Sequence, residues 1–204
     1  GNITTTDSNI SFAKAITLTG DVAMSSGTGA GTLTYSEAID GTDDNTQSLT
    51  LTAGTGNIDF DAAVGATKDL KDVTVVSAAN VDTDSTFAAS TYTQSAGTGT
   101  TQFDGAVTLS GAMDFTGTNL TLNAAVDSSA TVEVTNSGTF TTAAAGDITS
   151  TGTFTQNGAG TNSLAGNITT TDSNISFAKA ITLTGDVAMS SGTGAGTLTY
   201  SEAI

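Results

Sequence analysis

Residues 1–39, GNITTTDSNISFAKAITLTGDVAMSSGTGAGTLTYSEAI, return letter for letter at residues 166–204. Gly1 recurs as Gly166, Phe12 as Phe177 and Ile39 as Ile204. An identity of this length makes the chain a little more than one period of a tandem array. In such arrays each unit packs mainly on its neighbours along one axis, so domain count loses its usual meaning. Residues 1–165 form one full period, and 166–204 open the next. The pattern starts at Gly1 and breaks off at Ile204, so the chain reads as a window on a longer polypeptide. No signal peptide, anchor or transmembrane run is visible in this window.

Within the period, apolar residues alternate with Thr, Ser, Asn or Asp. Ile10 and Phe12 flank Ser11, Ile16 and Leu18 flank Thr17, and Leu49 and Leu51 flank Thr50. Ile58 with Phe60, Val73 with Val75, Val107 with Leu109, and Leu120 with Leu122 continue the pattern. Successive side chains of a strand point to opposite sides, so this alternation predicts short strands with one buried face. Thr, Val, Ile and Phe favour that conformation. Gly, Asn, Asp and Ser separate the strands at corners such as Thr19-Gly20-Asp21, Asp40-Gly41 and Asn157-Gly158. No stretch carries an apolar stripe at helical spacing. The nearest, Ala62 to Lys71, is short and interrupted by Gly65.

A fainter echo runs inside the period. Gly54-Thr-Gly56 leads to Phe60 and then Val64, Gly97-Thr-Gly99 to Phe103 and Val107, and Gly158-Ala-Gly160 to Leu164 and Ile168. In each case the first apolar residue lies six positions after the first Gly and the second lies ten. The starts at 54, 97 and 158 are spaced as two and then three units of roughly 20 residues, which is the length of one coil of a β-solenoid. The expected fold is therefore all-β: a parallel β-solenoid (β-helix) of roughly 20-residue coils. About eight coils would fill a period and advance it by about 38 Å, at ~4.8 Å per stacked strand. Ile, Leu, Val and Phe would form inward ladders, with Thr, Ser and Asn outside. The absence of Pro fits, because Pro cannot donate to a backbone ladder. Tandem β-sandwiches of about 80 residues are the rival architecture.

The stretches AGTGNIDFDAAVG (53–65), AGTGTTQFDGAVTLSG (96–111) and NLTLNAAV (119–126) resemble the β-strand repeats of giant bacterial surface proteins of the filamentous-haemagglutinin and autotransporter-adhesin kind. The resemblance implies a secreted, fibrous β-helical shaft at the cell surface that carries adhesion or assembly. It also implies partners of two sorts, other copies of the fibre and a host or neighbouring cell surface or its carbohydrate.

Charge narrows the partners further. Twenty carboxylates against four lysines leave a net charge of −16, and there is no Arg. Phosphate backbones are bound by Lys and Arg, so nucleic acid is a poor partner. Insertion in a membrane is not expected from this window. The chain also lacks Cys and His, which removes thiolate chemistry and the commonest general base. The expectation is a protein that is not an enzyme, with no catalytic, cofactor-binding or metal-binding residues assigned.

Several patterns stand out nonetheless. Asp59 and Asp61 flank Phe60 and should point outward together, as a pair of carboxylates or simply a solvated face. The acidic turns Asp40–Asn45 and Asp82–Asp84 leave open a weak Ca²⁺ site, though the calcium-loop spacing is absent. The Gly-x-Gly pairs lack the lysine and helix of a phosphate loop. Thr17-Leu-Thr19, Thr32-Leu-Thr34, Thr50-Leu-Thr52, Thr91-Tyr-Thr93 and Thr153-Phe-Thr155 each set two Thr on one side. Stacked on one flat face, such pairs would make an ice-binding or carbohydrate-binding surface, the alternative to a shaft. Asn2, Asn9 and Asn119 sit in Asn-x-Ser/Thr triplets.

Overall fold

A strand of three residues makes too few hydrogen bonds and buries too little surface to persist alone. Stacked between like strands it gains both. In the computed structural model, which describes residues 1–204, twenty-six short strands pair only in parallel and no helix forms. The chain winds into a β-solenoid of about nine turns with a period of about 21 residues. Three faces alternate along it. The first face runs through Ile10–Phe12, Leu33–Tyr35, Ile58–Phe60, Val81–Thr83, Thr100–Phe103, Asn119–Leu122, Thr139–Thr142, Thr161–Leu164 and Ile181–Leu183. The second begins at Ile16–Leu18, passes through Ile39–Gly41 and Val64, and ends at Ile168–Thr170 and Met189–Ser190. The third begins at Ile3–Thr4 and Val22–Ser25 and ends at Ile175–Phe177 and Leu198–Tyr200. Phe87–Gln94 turns the corner between the second and third faces without breaking, its first residues pairing on one and its last on the other.

Because the strands are in register, like side chains stack on like. Leu33 lies between Ile10 and Ile58, and Val126 between Val107 and Ile148. The rings of Phe12, Tyr35 and Phe60 stack at centroid spacings of 5.8 and 5.1 Å. The ladders merge into one apolar core of 38 buried residues along the axis. The sequence echo marks equivalent places: Phe60, Phe103 and Leu164 end strands of the first face, while Val64, Val107 and Ile168 begin the second.

Polar residues also point inward. Gln94 accepts from Tyr92 (2.6 Å) and from Thr101 (2.9 Å) inside the core. Gln156 donates to Asn136 at 2.8 Å. Partnered in this way, buried amides escape most of the cost of leaving water.

Corners explain the glycines and asparagines. A Cβ on Gly56 would strike the Gly31 carbonyl of the preceding coil, and one on Gly160 would strike that of Gly138. Asn side chains clip one coil to the next: Asn9 accepts from the Thr32 amide (2.9 Å), Asn80 from Thr100 (2.9 Å) and Asn119 from Thr139 (2.8 Å). The stretch Ala62 to Lys71 holds the Val64 bridge, a turn with Gly65 at φ 70°, and the start of Leu70–Ser77.

The two identical segments fold alike. Lys14 pairs with Glu37 at 3.0 Å and Lys179 with Glu202 at 2.8 Å. Tyr35 donates to the Met24 sulfur at 3.2 Å and Tyr200 to that of Met189 at 3.1 Å. Asp7 and Asp172 both take left-handed backbone angles, φ 54° and 51°. Yet the copies lie on different faces. Ile10–Phe12 is on the first face, and its copy Ile175–Phe177 is on the third. Ile16–Leu18 is on the second, and its copy Ile181–Leu183 is on the first. Twenty-three face-to-face steps separate Ile3 from Ile168, which is seven turns and two faces. One period thus falls one face short of eight turns, and the second copy sits a third of a turn round the axis.

Candidate functional site

The densest chemistry lies on the first face. Strand alternation puts Asp59 and Asp61 outward on either side of buried Phe60, and Asp82 and Asp84 outward on either side of buried Thr83. Register then sets Asp82 directly beside Asp59, with Gln102 next in that column. Asp61, Asp84 and Asp104 fill the neighbouring column, their amides bonding to the carbonyls of Tyr35, Phe60 and Thr83 one coil before. Five carboxylates therefore share three rungs. Ligand oxygens of Asp82, Asp84 and Asp104 lie within 4.8 Å of one another. Gln102 donates to both Asp104 oxygens at 3.0 and 3.1 Å, and Asn123 donates to one of them at 2.6 Å.

Crowded acids resist losing their protons. Partial burial, then the charges of Asp61, Asp82 and Asp84, raise Asp59 above the usual carboxylate range. Burial, then Asp84 and Asp104, raise Asp82. Asp114 rises for the same reasons, burial first and then Glu133. Three converging carboxylates are hard oxygen ligands, about half of the six to eight that Ca²⁺ takes. Asp104 was not visible as part of this group from spacing alone. The signal for it was the echo that aligns Phe103-Asp104 with Phe60-Asp61.

The other acidic turn is committed to groups of the coils that follow it. Asp40 accepts from the Thr67 and Lys68 amides at 2.8 and 3.2 Å. Asp44 pairs with the Lys68 ammonium at 3.0 Å and sits below its usual range because of that bond. Asn45, at φ 57°, accepts from Ser90 at 2.6 Å.

The Thr pairs each flank a buried residue as expected, but they do not share a face. Thr17 and Thr19 flank Leu18 on the second face, and Thr32 and Thr34 flank Leu33 on the first. The other three pairs are on the third, where Thr50, Thr74 and Thr93 stand in one column. That column continues through Asp114 and Glu133 before reaching Thr155, Ser176 and Thr199. Two carboxylates thus interrupt the rank of hydroxyls. The Asn-x-Ser/Thr residues Asn2, Asn9 and Asn119 all accept backbone amides of the next coil.

Compared with known proteins, the chain matches no family model, no curated protein and no solved structure. The class rests on the fold itself: a parallel β-solenoid with three faces, stacked in register. No helix is long and apolar enough to cross a membrane.

Proposed function

We propose that the chain is a section of a mechanical shaft, the stalk of an extracellular bacterial filament or adhesin, without catalytic activity. One observation carries this reading: identical segments open two successive periods, and both continue the same ladder with no cap or boundary between them. A coil stack that runs on in this way transmits load through backbone hydrogen bonds side by side. Its acidity keeps rods soluble and apart until a partner brings them together. The resemblance of 53–65 and 96–111 to surface-adhesin repeats supports the extracellular setting.

A chain of several periods tests the reading by electron microscopy and single-molecule stretching. Straight rods that lengthen by roughly 37 Å per period, with no sugar bound on a glycan array, are the expected result. Flexible strings, or a saturable sugar affinity with no rod, would overturn it. The second reading is a binding face, favoured by the hydroxyl column at Thr50, Thr74 and Thr93. Thermal hysteresis in solution decides that one.

A further inference from the structure

Where the third face turns into the first, the middle of the rod carries a notch. The corner from Phe115 to Leu120 is shorter than that from Gln94 to Thr101 before it and that from Val134 to Phe140 after it. The short corner lies back from its neighbours, and a depression of about 430 Å³ opens over Gly117. Ser95 to Thr98 wall it on one side, and Thr135 to Ser137 with Ala159 on the other. No charged residue lines it. Beneath its floor lies the Gln94 side chain, 1% exposed. The Gln94 carbonyl oxygen accepts from Tyr92 and Thr101, while the amide nitrogen donates to no group of the protein. That nitrogen sits under Gly97 and Gly117: a Cβ on the first would lie 2.5 Å from it, and one on the second 3.3 Å. Two residues without side chains are thus what separates it from the notch. Two and three turns further along the same corner the inward amides are engaged. Asn136 donates to the Gly138 and Thr161 carbonyls, and Gln156 to Asn136 and the Gly158 carbonyl. A buried donor without an acceptor destabilises the fold until a partner reaches it.

Beside the notch, on the third face, Asp114 and Glu133 stand on adjacent rungs, each two positions before a notch residue, Thr116 and Thr135. Asn157 accepts from Thr135 and donates to Glu133 at 2.6 Å, which holds Glu133 against the notch wall. The four lysines pair elsewhere, with Glu37, Asp44, Asp72 and Glu202. We propose that the notch and this acid pair form one site for an extended, lysine-bearing segment of a partner protein: a backbone carbonyl of the segment accepts from the Gln94 nitrogen, and the lysine ammonium lies between Asp114 and Glu133. Each half selects part of the ligand. The notch offers donors from Gln94, Ser95, Thr98 and Thr116 and no charge, which suits a neutral acceptor such as a peptide carbonyl. The two carboxylates take a cation. Two positions along a strand span about 7 Å, which the four-carbon stem of lysine covers. A compact ammonium fits between carboxylates on rungs about 4.8 Å apart, whereas a planar guanidinium favours the two oxygens of one. A second rod is a poor occupant, because its own lysines are already paired. The inference goes beyond the mechanical reading and holds with or without it.

The test uses the 204-residue chain labelled with nitrogen-15, followed by NMR, with the peptide acetyl-Gly-Lys-Gly-amide as probe. The Gln94 side-chain NH₂ and the Thr116 and Gly117 amides should shift saturably. Acetylating the lysine of the probe should abolish those shifts. Butylamine, an ammonium without a peptide carbonyl, should leave the Gln94 NH₂ in place. Two variants divide the site. Asp114→Asn with Glu133→Gln removes the charge and keeps the notch. Ser137→Leu keeps the charge and fills the notch, because Ser137 is exposed and leans across to the Gly117 carbonyl at 3.5 Å. Each should weaken binding by about fivefold or more. A probe that shifts only amides around Asp59–Asp104, that leaves the Gln94 NH₂ unmoved or is matched there by butylamine, or that binds both variants as tightly as the parent, would overturn the proposal.

Discussion

Leu33→Ala and Leu198→Ala remove the same atoms from the same local sequence, so the difference between them measures what one covering coil contributes. Leu33 is fully buried, with Ile10 below and Ile58 above. Truncating a leucine in such a site costs about 3 kcal/mol, from lost transfer energy and a cavity that rigid neighbouring rungs cannot close. Leu198 pairs only with Ile175 and is 40% exposed. Its truncation forfeits part of one side chain's burial and leaves no enclosed void, about 1 kcal/mol. Urea unfolding gives the global effect through the midpoint, and native-state hydrogen exchange resolves it by coil, which matters because stacked repeats need not unfold in one step. Leu33→Ala should lower the midpoint and deprotect the coils on both sides of it. Leu198→Ala should change exchange only near Ile175–Phe177 and Leu198–Tyr200. Equal costs for the two variants would refute the idea that coil-on-coil burial, rather than local strand propensity, holds this fold.

Three further outcomes follow from particular contacts. Gly160→Ala drives a methyl into the Gly138 carbonyl and should cost about 2 kcal/mol or more, whereas Gly20→Ala meets open space and should be near neutral, as urea midpoints will show. The acidic face makes stability fall with rising pH. Asp59 and Asp82 bind protons more tightly folded than unfolded, so their favourable contribution is complete below the unfolded carboxylate range and is lost as pH climbs through the raised folded values. Glu37, Asp44 and Glu202, lowered by their lysine partners, act in the opposite sense, but these pairs lie at the surface, where solvent screens them. Asp82→Asn should therefore raise the urea midpoint at neutral pH and flatten its slope with pH; a midpoint that falls at pH 7 would contradict this. Finally, fibre diffraction from a chain of many periods should show layer lines of a three-fold screw, with a rise of about 37 Å per period and a true repeat of about 110 Å. A repeat of about 38 Å alone would mean that each period makes eight whole turns.

Most of the strands were legible because their inward residues are apolar at a period of two, as in Ile10–Phe12, Leu49–Thr52 and Asn119–Leu122. Others escaped that pattern for a physical reason. Val81–Thr83, Phe87–Gln94 and Thr161–Leu164 turn Thr83, Gln94 and Asn162 inward, and polar letters do not announce burial. The Gln94 carbonyl accepts from Tyr92 and Thr101, and the Asn162 amide donates to the Lys179 and Ala180 carbonyls of the next coil while its Oδ1 is left without a partner. At the acidic face, Asp59 and Asp61 were visible as a pair. Asp82, Asp84 and Asp104 join them only through strand register, a relation between residues one coil apart.

The order of amino acids was enough to establish that Gly1 and Gly166 open successive periods and that the strands are short with one face buried, and it favoured stacked coils over tandem β-sandwiches. Those properties are local, set by side-chain alternation and corner residues. How many faces a coil has emerged only in three dimensions, and with it the finding that one period stops a face short of eight turns. Winding is a cumulative property: each strand-and-corner segment advances the chain by one face, and a period of twenty-three such steps, one fewer than eight full turns, sets the second copy a third of a circle round.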